Sequence, residues 1–182
     1  TSLEAIRSLL RINPERAIEL LLAKLAEGHG WSNDQVFSLL ELAGVDVVTD
    51  PLLELLEDQP DLRNDLVVFL EDADPDKAFP RLEHWLKNEK DPDLLAKYLR
   101  VMACYGISQV RQYGLEYLEN EHWAVRVRAI HCLKSAGKSE DVDRLKTHLS
   151  DEKWWVRYRS AEAIVSLSEG GVNYLRDLKN SI

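Results

Sequence analysis

Residues 121–137 read EHWAVRVRAIHCLKSAG, and residues 152–168 read EKWWVRYRSAEAIVSLS. Laid over each other at an offset of 31 residues, they bring Trp123 onto Trp154, Val125 onto Val156 and Arg126 onto Arg157. The same offset brings Arg128 onto Arg159, Ile130 onto Ala161 and Leu133 onto Ile164. A further step of 31 back falls on DPDLLAKYLRVMACYG (91–106), where Leu94, Leu99, Met102 and Gly106 stand opposite Val125, Ile130, Leu133 and Gly137. Leu118 and Leu149, at the ends of the preceding apolar runs, are also 31 apart. Self-similarity at one fixed spacing marks a repeat array, in which each unit buries its apolar face only against its neighbours.

Outside these segments the apolar spacing is that of helices. In PERAIELLLAKLAE (14–27), Ala17, Leu20, Leu21 and Leu25 form one stripe, and strand-type alternation is missing. Asn13-Pro14, Asp50-Pro51, Asp74-Pro75 and Asp91-Pro92 each set a capping residue before a proline, which suits a helix start because the first turn needs no N–H there. Ser32-Asn33-Asp34-Gln35 reads as a capping box, and Gly44, Gly106 and Gly137 follow apolar runs where a left-handed residue can end a helix. The expected helices are 2–11, 14–27, 32–43, 50–57, 61–71, 75–88, 92–105, 107–119, 123–136, 139–149, 154–168 and 171–180. Their short connections require antiparallel neighbours.

Val125-Arg126-x-x-Ala129-Ile130-x-Cys132-Leu133 and Val156-Arg157-x-x-Ser160-Ala161-x-Ala163-Ile164 resemble the VRxxAAxAL signature of HEAT repeats. More narrowly they are similar to the short bacterial HEAT-like repeats of the phycobilin-lyase type. The resemblance is strong over 107–182, fair over 75–106 and faint before that. It implies an all-α solenoid forming a single domain over 1–182, with helix pairs at 14–43, 46–71, 75–105, 107–136 and 139–168 and flanking helices at 2–11 and 171–180. It further implies that the second helix of each pair lines a concave side, and that Asp151 in the turn accompanies the arginine. Two positions depart from the family pattern: Asn120 stands where aspartate is usual, and Leu95 stands where the arginine would be.

Helical geometry then sorts the side chains. With Val156 facing the core and about 100° per residue, Ser160, Ala163, Ile164 and Leu167 share its side, while Trp154, Trp155, Tyr158, Glu162 and Val165 point away. In the preceding repeat Trp123, Val127, His131 and Lys134 point away. The candidate partner-binding residues are therefore Trp123, Val127, Arg128, His131, Trp154, Trp155, Tyr158, Arg159 and Glu162. Trp, Tyr and Arg dominate binding hot spots, and an exposed aromatic patch on a charged chain marks an interaction surface. Trp123 and Trp154 also have a packing alternative, since they occupy equivalent repeat positions. Trp155 has only Ala124 as its equivalent. Arg126 and Arg157 are expected to bond turn carboxylates such as Asp151 or Glu121. Lys97, Arg128 and Arg159 form a basic column.

The net charge of −9 disfavours generic nucleic-acid binding. It is uneven, with 9 Lys+Arg against 19 Asp+Glu over residues 1–90 and 14 against 13 thereafter. No run approaches the roughly 18 apolar residues of a membrane span, and two cysteines are too few for a disulfide framework. A cytoplasmic setting is the expectation, and because the chain starts at Thr1, an anchoring segment ahead of it is compatible with that reading. Neither GxxxxGK[ST], GxGxxG, GxSxG nor HExxH occurs, and no His-Glu dipeptide is present. His29, His84, His122, His131 and His148 are scattered, and Cys132 aligns with small Ala163, which reads as core. No catalytic group, metal or cofactor is expected. The leading expectation is a non-enzymatic scaffold that binds an acidic or amphipathic protein or peptide through the concave C-terminal groove. The alternatives are an enzyme of the HEAT-like DNA glycosylase type, or a lyase-like chaperone for a cofactor-bearing protein.

Overall fold

The computed structural model describes residues 3–28 and 31–180. Ser2, the expected start of the first helix, and His29 lie outside the described residues. The described residues form α-helices and short 3-10 turns with no strand, as expected of an all-α HEAT-like chain. The helices are α1 (Leu3–Leu10), α2 (Pro14–Ala26), α3 (Asn33–Ala43), α4 (Val45–Asp58), α5 (Arg63–Leu66) and α6 (Pro75–Asn88), followed by α7 (Pro92–Tyr105), α8 (Val110–Glu116), α9 (Trp123–Ala136), α10 (Val142–Thr147), α11 (Trp154–Leu167) and α12 (Gly171–Asn180). Where the sequence reads as one continuous array, the contacts gather the chain into two compact units, residues 1–87 and 88–182. The division falls at the end of α6, inside the pair expected over 75–105.

In the first unit α1 packs on α2, α2 on α4, and α3 against α1 and α4. The buried stripe of α2 is Ala17, Ile18, Leu21, Leu22 and Leu25, with Leu20 only partly covered, so the apolar face is turned slightly from the expected one. Asn13 caps α2, its Oδ1 accepting the Arg16 N–H at 3.0 Å. The expected capping box forms at α3: Ser32 Oγ accepts the Gln35 N–H, and Gln35 Oε1 accepts the Ser32 N–H.

Two expectations in this unit are corrected. The first is that α4 starts at residue 45 rather than 50, so Pro51 lies within the helix and Asp50 caps nothing. Gly44, at φ 87°, both ends α3 and begins α4. The buried face of Val48, Thr49, Leu52, Leu53 and Leu56 runs through the proline, and Thr49 Oγ1 donates to the Val45 carbonyl at 2.7 Å. Burial of that face outweighs the one backbone bond a proline removes. Asp50 instead pairs with Lys77 at 2.6 Å. The second is that the helix expected at 61–71 is α5 between two 3-10 turns, Pro60–Leu62 and Val67–Leu70. In a 3-10 turn positions three apart eclipse, which sends Val67 and Leu70 together into the core.

In the second unit α7, α9 and α11 pack side by side, α8 lies on α9, α10 on α11, and α12 also on α11. The second helices thus form one layer, with the first helices packed on it, as the 31-residue offset requires. Repeat-equivalent Val125 and Val156, and Leu133 and Ile164, are all fully buried. Leu118, Ile130, Val142, Leu145 and Ala163 complete this core. The first helices are shorter than expected: α8 covers only part of 107–119, and α10 is flanked by 3-10 turns at Ser139–Asp141 and His148–Ser150.

Gly106 is left-handed, at φ 61°, as a helix-ending glycine should be. Gly137 is not, because its φ is −74° and its backbone is extended. It is needed for space: a Cβ there would lie 2.3 Å from the Leu133 carbonyl oxygen. Gly114, which the repeat alignment passes over, sits where α8 crosses α9. A Cβ there would meet Leu133 Cγ at 2.8 Å and the Ala129 carbonyl oxygen at 3.0 Å.

Candidate functional site

The outward face of α9 and α11 depends on how the two helices are anchored at their starts. Arg126 on α9 grips Asp151 in the turn before α11 with two bonds, Nε to Oδ2 at 2.8 Å and Nη2 to Oδ1 at 3.0 Å. Its Nη1 also donates to the carbonyls of Asn120 and Glu121. Arg157 repeats the second half of this pattern on the carbonyls of Asp151 and Glu152. Arg126 bonds a turn carboxylate as expected, with Glu121 contributing its backbone rather than its carboxylate, whereas Arg157 holds its turn through the Asp151 and Glu152 carbonyls and not through a carboxylate. Asp151 Oδ1 also accepts the Lys153 N–H at 2.8 Å. Burial pushes the Asp151 carboxyl up, but the Arg126 guanidinium and the Lys153 N–H together hold it below the usual carboxylate range. Asn120 accepts the His122 N–H at 2.9 Å and so keeps the turn-closing half of the motif, while buried Leu95 replaces its charged half.

A second fork was not foreseen. Arg111 on α8 grips Asp141 with Nε to Oδ2 at 2.8 Å and Nη2 to Oδ1 at 2.6 Å, and Nη2 also reaches Glu140. Asp141 in turn accepts the Lys138 N–H. The sequence signal was available, since Arg111 and Asp141 lie 30 apart, close to the repeat length.

With Val156 at 0% exposure as its anchor, α11 presents the expected residues outward: Trp154 is 55% exposed, Trp155 49% and Tyr158 42%. They form one cluster. Trp154 stacks on Tyr158 with ring centroids 5.2 Å apart and planes at 14°, while Trp155 meets Trp154 edge-on at 4.7 Å and Tyr158 edge-on at 6.2 Å. Arg159 lies 5.6 Å from the Tyr158 ring centre, within cation–π range. Trp123 is exposed too, but its ring partner is His122, at 6.4 Å. The expected aromatic set is therefore two groups, three rings on α11 and one on α9.

Beside the cluster, Val127, Arg128, Ile130, His131 and Lys134 of α9 and Arg159 of α11 line a cavity of about 130 Å³. Lys97, the third member of the expected basic column, does not line it. Burial pushes the His131 imidazole below its ordinary range, and the charges of Arg128, Arg159 and Lys134 add to this, so it is neutral at neutral pH. Glu162 sits at the rim, its Oε2 accepting from Arg159 Nη1 at 2.6 Å and its Oε1 lying 3.8 Å from Lys134 Nζ. The bond from Arg159 is the main reason its carboxyl is held low. Lys134, Tyr158, Ala161, Glu162, Val165 and Leu175 border a wider, shallower depression of about 460 Å³. Leu175 comes from α12, which the repeat alignment leaves outside the pairs, and no motif points to it.

Cys132 is buried with Sγ donating to the Leu99 carbonyl, and burial pushes its thiol up. His148 bonds Glu119 at 3.1 Å. Among the described residues no group of three His, Cys, Asp or Glu is arranged to hold a metal, and no helix is long and apolar enough to cross a membrane.

Two layers of helices repeating at 31 residues, joined by an arginine fork on a turn aspartate, define an α-helical repeat protein. Residues 79–165, just under half of the chain, match the family model described as HEAT repeats, which supports a HEAT-repeat, armadillo-like family for that stretch. Repeats of this family generally mediate protein–protein interaction. A comparison with curated proteins finds no match.

Proposed function

We propose that the chain is a non-enzymatic scaffold that binds a protein or peptide through the outward face of α9 and α11. One observation carries this reading: Trp154, Trp155 and Tyr158 form a solvent-exposed ring cluster that no core packing requires, set beside a cationic patch on a chain of net charge −9. Exposed aromatics cost solubility unless something covers them, and rigid rings lose little entropy on binding. Arg128, Lys134 and Arg159 make the patch cationic, with Glu162 paired to two of them, which favours a partner segment with acidic and apolar residues. Of the predicted contact residues, Trp155, Tyr158, Arg159, Arg128 and His131 form the centre of the surface, and Trp123 its margin.

A nucleic-acid substrate finds less support. Duplex binding needs a row of cations long enough to meet several phosphates, and here Arg159 is already engaged by Glu162. The test is capture of interacting proteins by the wild-type chain and by the double variant Trp155→Ala, Tyr158→Ala. Loss of a specific partner with the fold retained supports the reading. Equal recovery of every partner removes it.

A further inference from the structure

The cavity between α9 and α11 has the chemistry of an oxyanion site that already contains its own competitor. Its walls bring together two guanidinium groups, Arg128 and Arg159, and one ammonium, Lys134, above apolar Val127 and buried Ile130. Guanidinium forks match the two oxygens of a carboxylate or the face of a phosphoryl group. Apolar walls lower the local dielectric and so strengthen each of these attractions. Glu162 is a carboxylate within reach, and it divides itself between two of these cations, one oxygen on Arg159 and the other toward Lys134. It does so from the rim, and it is not part of the cavity wall.

We propose that this cavity seats the oxyanion group of a peptide side chain, a carboxylate or a phosphoryl, and that Glu162 is an internal competitor holding Arg159 and Lys134 until the ligand displaces it. The inference rests on the partner-binding reading of the same surface and adds what part of the partner enters it. Arg159 is the link between the two halves of the surface, since it lines the cavity, bonds Glu162 and lies over the Tyr158 ring. An oxyanion on Arg159 therefore leaves the adjoining residue of the peptide against Tyr158 and Trp154.

The test uses the full chain labelled with nitrogen-15 and three blocked dipeptides: acetyl-glutamyl-leucinamide, acetyl-phosphoseryl-leucinamide and, as the neutral control, acetyl-glutaminyl-leucinamide. At neutral pH, saturable shifts are expected at the Arg128 and Arg159 Nε–Hε groups and the His131 ring with the glutamyl or phosphoseryl form, and none with the glutaminyl form. Whichever anionic form saturates at lower concentration identifies the source. Removing a competing exposed ion pair is worth a few-fold in affinity, so Glu162→Gln should tighten binding about threefold. Arg159→Ala should weaken it about fivefold or more. Shifts that rise linearly with concentration and appear equally at Arg144 and Arg176 would show ionic screening only and overturn the site. Unchanged or weaker binding by Glu162→Gln would overturn the competitor role. Loss of dipeptide binding with partner capture intact sinks this inference alone, whereas failed capture with dipeptide binding intact sinks the partner reading alone.

Discussion

Arg126 holds Asp151 through two parallel hydrogen bonds across 25 residues of chain, tying the second helix of one repeat to the turn of the next. Both side chains are almost fully covered, at 11% and 8% exposure. Removing one partner of a covered pair strands the other charge, which typically costs about 3 kcal/mol or more. Asp151→Ala should therefore lower unfolding free energy by about that amount in urea. Asp151→Asn should cost less, because the amide oxygen can still accept from Lys153, as Asn120 accepts from His122 one repeat earlier.

The same pair gives the fold an acid limb. The folded carboxyl titrates below its ordinary value, so its contribution is fully present above the unfolded pKa of about 3.9 and is lost as pH falls through the lower folded value. Urea midpoints measured from pH 6 downward should fall more shallowly for Asp151→Asn than for wild type.

His131 works in a nearby window with its own sign. Its folded imidazole is held below about 6.5, so the unfolded chain takes up the proton first and stability declines as pH drops from about 6.5 toward the folded value. His131→Gln should remove that slope. An oxyanion in the cavity should raise the His131 titration midpoint, since it offsets Arg128, Arg159 and Lys134, and a ring-resonance titration with and without ligand measures the change.

Gly114→Ala should destabilise the second unit although alanine favours a helix by about 1 kcal/mol. The new methyl would press on Leu133, which is fully buried, and on the Ala129 backbone. Overpacking of this kind costs about 1–3 kcal/mol, and thermal unfolding decides the sign.

Trp155→Ala and Tyr158→Ala should leave stability within about 1 kcal/mol of wild type, as is usual for exposed positions. Ile164→Ala, at a fully buried position of the same helix, should cost roughly 2–5 kcal/mol.

The fold was legible because the repeat writes its core twice. Val125 and Val156 occupy one register, and helical periodicity from Val156 alone assigned Trp154, Trp155 and Tyr158 to the exposed side. What escaped the sequence depends on contacts that one repeat cannot encode. Proline after aspartate signals a helix start locally, but the buried face of α4 carries the helix through Pro51. Glycine after an apolar run signals a left-handed cap, but Gly137 is there for close approach. The split of the aromatic set into three rings and one is a matter of rotamer and neighbour, since Trp123 has His122 beside it and Trp154 has Tyr158. Lys134 was legible as outward-facing, and its pairing with Glu162 required the placement of α11 against α9.

On the proposed function, the outward face of α9 and α11 is where a partner binds. A photo-crosslinking residue placed at Val165, which borders the shallow depression without disturbing the ring cluster, tests it most directly against the same residue at exposed Arg144 on α10. The prediction is a discrete protein adduct at 165 that is absent at 144 and is lost when Trp155→Ala and Tyr158→Ala are added. Equal labelling at both positions, or an adduct at 165 that survives loss of the rings, would contradict it.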